Sequence, residues 1–558
     1  MSDNRVSLPA WIPASRWIRS YTASSFSIDL IAGLSLAAFV IPESLAYASL
    51  AQLPPVTGLY CYLAAGIAYA VFGTSRQLAV GPTSSLAIVI ATSLAALGAD
   101  EPSRMMALAS AMALIVGIVS IVGRFIGLAN VAYFISDSIL FGFKTGAAIY
   151  IASTQFPKLF GIEGVSGNVF ERVSHVIWSL PETHVPSLLI GVGAIALFVA
   201  FARALPGRPT TLIVVFAAIA IMSVFGLAER GIKIVGELPT GLPGIRLPKV
   251  HLSDIAALLP TALACFVLAY GEAISCARSF AQKHGYDINP EQELTALGAA
   301  NLATGLAHGF PVAGGMSQTA VNDMGGASSP MALVVTSGAI ALTLMFFAKL
   351  FHNLPEPVLA AVVLIAASHL VRIEDLRKLR LASLEEFRLS LLALVAVLFL
   401  GLLDGLLVAA LGSVVMVVAH ASRPAVVVLG REPLTGFFVN RARYPDAGEI
   451  AGALVVRSAG AWLYFNAEQI RRQILELIEK APTGLKGVVI DFSTVPSIDT
   501  TAGGSLCALA RALKARAIAI ELAGLRDDVA DRLRLTGAED DLGPIVAHRP
   551  IEDCLPRS

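Results

Sequence analysis

Charge is scarce in this chain of 558 residues: aspartate, glutamate, lysine and arginine make up only 14% of it, whereas 56% of the residues are hydrophobic. The mean hydropathy of +0.74 is far above that of soluble proteins. The formal net charge is zero, so the chain has no overall basic character that would favour nucleic acid. The composition therefore predicts an integral membrane protein that contacts lipid and has no nucleic-acid partner.

Cysteine and catalytic motifs are also scarce. The five cysteines are scattered and include no CxxC pair, which argues against a disulfide framework and a zinc site. No cluster of histidine and aspartate and no nucleophile motif appears, so we predict no catalytic residue, no metal site, no cofactor and no enzyme activity. The first 25 residues contain no apolar run, so we expect no cleaved signal peptide and a cytoplasmic N-terminus.

Apolar stretches of spanning or near-spanning length recur through the first 422 residues. They lie at about 27–47, 58–73, 104–123, 128–153, 187–205, 209–227, 256–277, 291–308, 329–351, 355–372, 384–401 and 403–422. With the two broken helices described next, they predict an α-helical polytopic protein of fourteen membrane segments. Most of the loop cations lie on the side that is cytoplasmic if the N-terminus is inside.

The polar stretch PVAGGMSQTAVNDMGG at 311–326 interrupts this apolar sequence. Its glycines leave room for only two or three helical turns, so we predict a helix that begins inside the membrane. Non-helical backbone at that depth must be buried in protein or line a watery cavity. A helix N-terminus carries partial positive charge and free N–H groups, so an anion is its natural ligand. The residues predicted to bind it are Gly315, Met316, Ser317, Gln318 and Thr319.

A second break of the same kind lies in the first half of the chain, in VGPTSSL at 80–86, where Thr83, Ser84 and Ser85 begin a helix. Each break follows an acidic residue, since Glu43 lies 40 residues before Thr83 and Glu272 lies 45 before Ser317. Interrupted segments at corresponding positions of two halves are typical of the midplane site of a transporter built from inverted repeats. An intramembrane carboxylate can carry a proton or help to hold sodium, so Glu43 and Glu272 are candidates for cation coupling.

The sequence changes character after Arg423-Pro424, where a polar segment rich in glycine and proline replaces the apolar spans. Strand-like runs at 453–456, 462–465, 488–490 and 518–522 alternate with amphipathic runs, which predicts a small cytoplasmic α/β domain. In the turn SIDTTA, Asp499 is expected to cap the next helix, and Thr500 and Thr501 to expose their hydroxyls as a regulatory loop. A plain helix cap is the alternative for this turn. The predicted divisions are 1–25 for an N-terminal segment, 26–425 for the transmembrane unit, 426–450 for a linker and 451–555 for the tail domain.

These residues resemble the sulfate permease family of sulfate transporters and anion exchangers over nearly the whole chain. The resemblance rests on PESLAYASLAQLPPVTGLY at 42–60, FGTSRQLAVGPTSS at 72–85, ARSFAQKHGYDINPEQELTALGAANLATG at 277–305 and GGMSQTAVND at 314–323. The tail, with VVIDFSTVPSIDTTAGG at 488–504, is similar to the STAS domain that this family carries. The resemblance implies two inverted sets of seven segments, a mobile core domain, a gate domain and a homodimer in the cell membrane, with both termini cytoplasmic.

One residue departs from the family pattern: many relatives have an arginine where this chain has Gln318, so the site has less positive charge. Lys144, in SDSILFGFKTGAA at 136–148, could supply that charge. The alternatives for Lys144 are a buried ion pair with Asp137 or a side chain that extends to the membrane interface.

The leading hypothesis is therefore a secondary transporter of a small anion, sulfate by family resemblance, coupled to a proton or sodium ion and moved by an elevator-like displacement. Bicarbonate or a dicarboxylate as substrate, and an uncoupled exchanger or channel, are the nearest alternatives. A membrane-tethered signalling protein, with a cytoplasmic partner at the tail domain, is a remote one.

Overall fold

The computed structural model describes residues 12–97, 101–128, 137–165, 167–204, 210–368, 371, 373–482 and 484–556. The chain divides into two compact units, the first ending at Ser413 and the second beginning at Val414. The division falls inside the last apolar helix. The bounds predicted for the N-terminal segment, the transmembrane unit and the tail domain remain predictions.

In its described residues, the first unit is built of helices and two short strands. Its first half contains α1 Ala14–Trp17, α2 Ala23–Leu50, α3 Val56–Phe72, β1 Val80–Gly81, α4 Ser84–Ala96, α5 Pro102–Phe125, α6 Asp137–Phe160, α7 Val169–Trp178, α8 Val185–Ala204 and α9 Thr210–Phe225. The second half contains α10 Leu252–Lys283, α11 Pro290–Leu306, β2 Ala313–Gly314, α12 Met316–Met324, α13 Met331–Leu342, α14 Glu356–Ser368, α15 Ile373–Ala382, α16 Leu384–Leu400 and α17 Leu402–Ala421.

Five helical stretches in the described part of the chain are long and apolar enough to cross a membrane, judged by length and composition. Four are Ala23–Leu50, Pro102–Phe125, Leu252–Lys283 and Met331–Phe351, and the fifth takes in α14 and α15, between which residues 369, 370 and 372 lie outside the described part. Others are apolar but shorter, including α3, α4 and α9. A helix needs about 20 apolar residues to span the hydrocarbon core, so these shorter helices depend on packing within the protein.

The predicted spans agree with these helices within a few residues, except for the one predicted at about 128–153. The corresponding helix α6 reaches Phe160. Its start cannot be compared fully, since residues 129–136 lie outside the described part. Pro157 lies inside the last turn of α6 without ending it. Two short helices that link longer ones, α7 and α15, were not predicted. They have too few apolar residues in a row to resemble spans.

The second unit contains a five-stranded sheet with strand order β4-β3-β5-β6-β7. The strands are β3 Val426–Arg431, β4 Phe438–Asn440, β5 Ala453–Ser458, β6 Gly487–Asp491 and β7 Ala519–Ala523. Strands β5, β6 and β7 are parallel, and β3 lies antiparallel to both β4 and β5. The helices of this unit are α18 Ala467–Glu479, α19 Thr500–Lys514, α20 Asp527–Leu535 and α21 Glu539–Leu542.

Two predictions for the tail need correction. The segment 426–450, predicted as a linker, contributes β3 and β4 to the sheet. The run 462–465 is not a strand: Trp462 forms a single bridge to Ile498, and its indole is fully buried against Phe492 with ring centroids 5.1 Å apart. An apolar run in the core of a small domain is difficult to assign by pattern alone, because burial rather than strand pairing selects its residues.

All five cysteines are buried and unpaired, as expected for small core residues. In the second unit, burial raises the pKa of the Cys554 thiol to about 11. Because the thiolate is the reactive form, this thiol is unreactive at neutral pH.

Candidate functional site

A two-residue β-ladder brings the two broken helices together. Strand β1 runs directly into α4, and β2 runs directly into α12. The strands pair antiparallel, with Val80 opposite Gly314 and Gly81 opposite Ala313. A Cβ on Gly314 would lie 2.9 Å from Cα of Ala273 on α10, so only glycine allows this close approach. The ladder therefore sets the first turns of α4 and α12 close to each other, deep in the unit.

The irregular backbone around this ladder is paired by buried polar side chains. Thr319 accepts a hydrogen bond from the N–H of Ala79 (3.0 Å), and the amide of Asn322 donates to the carbonyl of Gln77 (2.8 Å). Asn301 bonds both the N–H (3.0 Å) and the carbonyl (3.1 Å) of Val312. Each unpaired backbone group would cost several kcal/mol in a membrane, so these residues make the broken helices tolerable there.

A central cavity of about 70 Å³ lies at the first turns of α4 and α12. It is lined by Glu43, Tyr47, Thr83, Ser84, Ser85, Lys144, Glu272, Ser275, Gly314, Gly315, Met316, Ser317, Gln318 and Ala366. A single water needs about 10–15 Å³ on this measure, so the central cavity has room for a small ion and little else. Residues from both halves of the chain thus share one small polar space.

The two helix N-termini provide free N–H groups at this cavity. In α4 the hydroxyl of Thr83 caps the helix, and the first backbone bond runs from Ala87 N–H to the Thr83 carbonyl (3.0 Å). In α12 the first such bond runs from Thr319 N–H to the Gly315 carbonyl (2.9 Å). The N–H groups in the first turn of each helix lie before the first of these bonds and have no backbone partner within the helix. Together with the helix dipoles, they favour an anion.

Glu43 and Gln318 contact each other across the site. The amide nitrogen of Gln318 donates to Glu43 Oε2 and to the carbonyl of Pro82, both at 2.9 Å, and the hydroxyl of Tyr47 donates to Glu43 Oε1 (2.8 Å). Because both partners of the nitrogen are acceptors, the orientation of the amide is well defined. The amide oxygen of Gln318 is buried and has no hydrogen-bond partner among the described residues.

Glu272 and Lys144 lie at the same cavity with fewer protein contacts. Glu272 Oε1 accepts a hydrogen bond from the hydroxyl of Ser85 (2.7 Å), which ties α10 to the start of α4. Lys144, on α6, makes no hydrogen bond or ion pair within the described residues. The side chain of Asp137, its alternative partner, lies outside the described part. An ammonium and two carboxylates therefore meet at the two helix N-termini.

The structure brings together all the residues predicted for the central site except Thr319. The hydroxyl of Thr319 is bonded to Ala79 and its N–H to Gly315, so it supports the ladder and does not line the cavity. Four lining residues were not predicted: Tyr47, Ser275, Gly314 and Ala366. The first two could have been found by helical spacing, since Tyr47 follows Glu43 by four residues and Ser275 follows Glu272 by three. Ala366 carries no chemical signal.

The predicted turn of the tail domain has the expected local structure. Asp499 caps α19 by accepting from Ala502 N–H (2.8 Å), and its second oxygen accepts from Tyr464 N–H (2.6 Å). Thr500 and Thr501 are exposed. The cap is confirmed, and the regulatory role of the turn remains a prediction.

Known proteins match both units. The sulfate permease family matches residues 26–395, and the STAS domain matches residues 444–550. A probable sulfate transporter of Mycobacterium tuberculosis is 31% identical over 533 residues, which are 96% of this chain and 95% of that protein. The mouse solute carrier 26 member A9 anion transporter, in an inward-facing state, has the same fold, with a TM-score of 0.88 at 22% identity over 99% of this chain and 95% of that one. The transmembrane domain of a cyanobacterial bicarbonate transporter gives a TM-score of 0.62 at 20% identity over 71% of this chain and 98% of that one.

Proposed function

The chain belongs to the sulfate permease family, a family of transporters and not of enzymes, and we propose that it is a secondary active transporter of a small anion, with sulfate as the substrate. The observation that carries this proposal is the central cavity, where the N-termini of α4 and α12 meet beside Ser85, Ser317 and Lys144. Free N–H groups, hydroxyls and one ammonium replace the hydration shell of the anion. Sulfate follows from the name of the mycobacterial relative.

The proposal includes the architecture implied by the resemblance. Fourteen segments form two inverted sets of seven, which build a core domain and a gate domain. Two broken helices that each follow a short strand, and the antiparallel pairing of those strands, support this symmetry. We propose that the core moves in an elevator-like manner in the cell membrane, that both termini are cytoplasmic and that the chain forms a homodimer.

We propose cation coupling because acidic side chains lie at the site of the anion. A divalent anion in the central cavity would meet the carboxyl groups of Glu43 and Glu272 as well as the ammonium of Lys144. Glu43 accepts hydrogen bonds from Tyr47 and Gln318, whereas Glu272 interacts with the hydroxyls of Ser85 and Thr83 and with the charge of Lys144. A proton or sodium ion at Glu272 would remove the repulsion between this carboxylate and the anion, so the two would travel together.

The variant Glu272→Gln tests this coupling. The amide is nearly isosteric and can still accept the Ser85 hydroxyl, so we expect sulfate binding to remain. It can neither take up a proton nor bind sodium strongly, so acceleration of uptake by an imposed proton or sodium gradient should be lost. Proteoliposome uptake with and without each gradient measures this. Glu291→Gln, which changes a carboxylate at the start of α11 away from the cavity, is the matched control. Undiminished coupling in Glu272→Gln would contradict the proposal.

The nearest alternatives are transport of bicarbonate or a dicarboxylate, and uncoupled exchange or channel activity. The neutral Gln318 favours the monovalent bicarbonate, because Lys144 is then the only cation among the described residues that line the cavity. Competition among sulfate, bicarbonate, oxalate, succinate, nitrate and chloride in proteoliposomes would identify the substrate. The same assay with imposed proton and sodium gradients would identify the mode of transport.

The tail domain is proposed to regulate transport and to offer a surface to a cytoplasmic partner. A membrane-tethered signalling protein is the remote alternative, and uptake of sulfate by the purified protein would exclude it. A cut after Arg431 would separate β3 from its partners, because β3 ends at that residue and pairs with β4 and β5. A cut after Arg423 removes the whole sheet and keeps α17 intact.

Truncation after Arg423 should therefore change the rate, trafficking or stability of the transporter while its substrate preference is retained. The physical reason is that every residue lining the central cavity belongs to the first unit. The measurement is the inhibition of sulfate uptake by the other anions, compared between the truncated and full-length chains. An altered order of inhibition would show that the tail takes part in selectivity.

A further inference from the structure

A second cavity of about 290 Å³ lies in the first unit, near the C-terminal ends of α2, α4 and α6 and the start of α7. It shares no lining residue with the central cavity. Lys158 of α6 and Arg172 of α7 both line it, and none of its described lining residues is an aspartate or glutamate. The lining therefore has two positive charges and no negative one.

Hydrogen-bond partners for the two cations are lacking among the described residues. Neither forms a hydrogen bond or an ion pair within the described residues, and Nη1 of Arg172 is buried without a partner. The guanidinium of Arg172 lies over the ring of Tyr150, 4.5 Å from the centroid, which fixes its orientation. An unsatisfied buried donor on a charged group is costly, so its presence beside a cavity indicates a missing acceptor.

The other polar groups of this cavity are neutral. The hydroxyls of Ser49, Thr92 and Thr154 donate to carbonyls of their own helices, at 3.0, 3.1 and 2.7 Å. The amides of Gln52 and Gln155 and the hydroxyl of Tyr150 also line the cavity, so the charged hydrogens that remain for a ligand are those of Lys158 and Arg172. Recognition would therefore depend on charge more than on shape, which suits a small inorganic anion.

Neither of two structural roles accounts for these cations. An adjoining cavity, which Lys158 and Arg172 also line, contains Lys233 with the carboxylates of Glu163 and Glu356. Glu356 interacts with Lys158 electrostatically but forms no salt bridge with it, and three cations still outnumber two carboxylates there. The cations could instead offset the negative C-terminal ends of α2, α4 and α6, the last of which contains Lys158, but neither donates to a carbonyl of these helices.

We propose that Lys158 and Arg172 form a second anion site, distinct from the central cavity, that binds sulfate or chloride. Thr92 of this cavity lies on the same helix as Ser84 of the central one, roughly 12 Å further along at 1.5 Å per residue. An anion at the second site is therefore close enough to supply the central one. The supply of anion from the second site to the central cavity rests on the proposed transport function, whereas binding at the second site does not.

The test is equilibrium binding of radiolabelled sulfate to the purified full-length chain, with chloride as competitor. In a Ser317→Phe background, which blocks the central cavity, a residual binding component should remain and excess chloride should displace it. Adding Lys158→Gln and Arg172→Gln should abolish that component, and each alone should weaken it roughly tenfold, the usual loss for a hydrogen bond to a charged group. The double variant Arg246→Gln/Lys249→Gln removes an exposed arginine and an exposed lysine outside the cavity and should bind as its parent does.

The charge-preserving variant Lys158→Arg/Arg172→Lys separates binding from folding and should keep the residual component. The proposal is overturned if the double glutamine variant binds sulfate as its parent does, if excess chloride displaces nothing, or if the charge-preserving variant loses binding as completely as the glutamine variant. A wrong assignment of the central site would give a different result in the same assays. Ser317→Phe would then bind and transport sulfate like the wild type, and the effect of Lys158 and Arg172 would still be measured in both backgrounds.

Discussion

Replacement of Lys144 by methionine is expected to abolish high-affinity sulfate uptake, whereas Lys144→Arg should keep most of it. Lys144 lines the central cavity together with Glu272 and Ser317. Two helix N-termini supply about half a positive charge each, which leaves a divalent anion under-neutralised, the more so beside carboxylates. At an effective dielectric near 20, a cation about 6 Å from a divalent anion contributes roughly 5 kcal/mol before desolvation is subtracted. Even a fraction of this energy corresponds to orders of magnitude in affinity.

Proteoliposome uptake over a range of sulfate concentrations measures the effect. Lys349→Met, which removes an exposed lysine of the first unit, is the matched control and should transport normally. If Lys144→Met also transported normally, Lys144 would have a structural role and the site would hold its anion by dipoles and hydroxyls alone.

The structure changes the expected effect of placing a new cation at position 318 in the Lys144→Met variant. From the sequence, Gln318→Arg should restore part of the activity of Lys144→Met by replacing the missing cation. The Gln318 side chain, however, donates to Glu43, so a guanidinium at this position would pair with that carboxylate. We therefore expect little recovery from Gln318→Arg alone and more when Glu43→Gln is added, because the guanidinium charge then remains available to the anion.

The parts of the site that the sequence predicted are those with a local signal. Gly-Pro before Thr83 and Gly-Gly before Met316 break the helices wherever the segments lie, and hydroxyls at the breaks are natural caps. Contacts between distant segments have no such signal. Gln318 and Glu43 are 275 residues apart, and only the folded chain shows that they are bonded. For the same reason Gln318 was recognised as a loss of charge but not as a partner of an acid.

The second unit shows a similar limit. Strands β5, β6 and β7 were predicted because each is a run of apolar residues between turns. Strand β4 has only three residues, and β3 follows the last apolar helix at once, so neither stands out from its surroundings. Lys158 and Arg172 were not predicted as a pair either, because one lies near the end of a long apolar helix and the other in a short amphipathic one.

Replacement of Ser317 by phenylalanine should abolish sulfate transport. Ser317 lies in the first turn of α12 and lines a cavity of only about 70 Å³, so an aromatic ring there would occupy the space that the anion needs and cover the free N–H groups. Ser317→Ala should have a much smaller effect. It removes one hydroxyl contact worth about 0.5–1.5 kcal/mol, or about 3 kcal/mol at most to a charged ligand, so the KM should rise roughly two- to tenfold and by about 150-fold at most.

Uptake kinetics of the two variants distinguish a blocked site from a damaged fold, because both change the same position and only one fills the cavity. Ser279→Phe, an equal change at an exposed serine of α10, controls for the aromatic substitution and should leave uptake unchanged. The thermal stability of Ser317→Phe should no longer increase at sulfate concentrations that stabilise the wild-type chain, since a ligand stabilises a protein only if the folded state binds it. Normal transport by Ser317→Phe would place the substrate elsewhere. The first turns of α4 and α12 would then have a structural role and would not bind the anion.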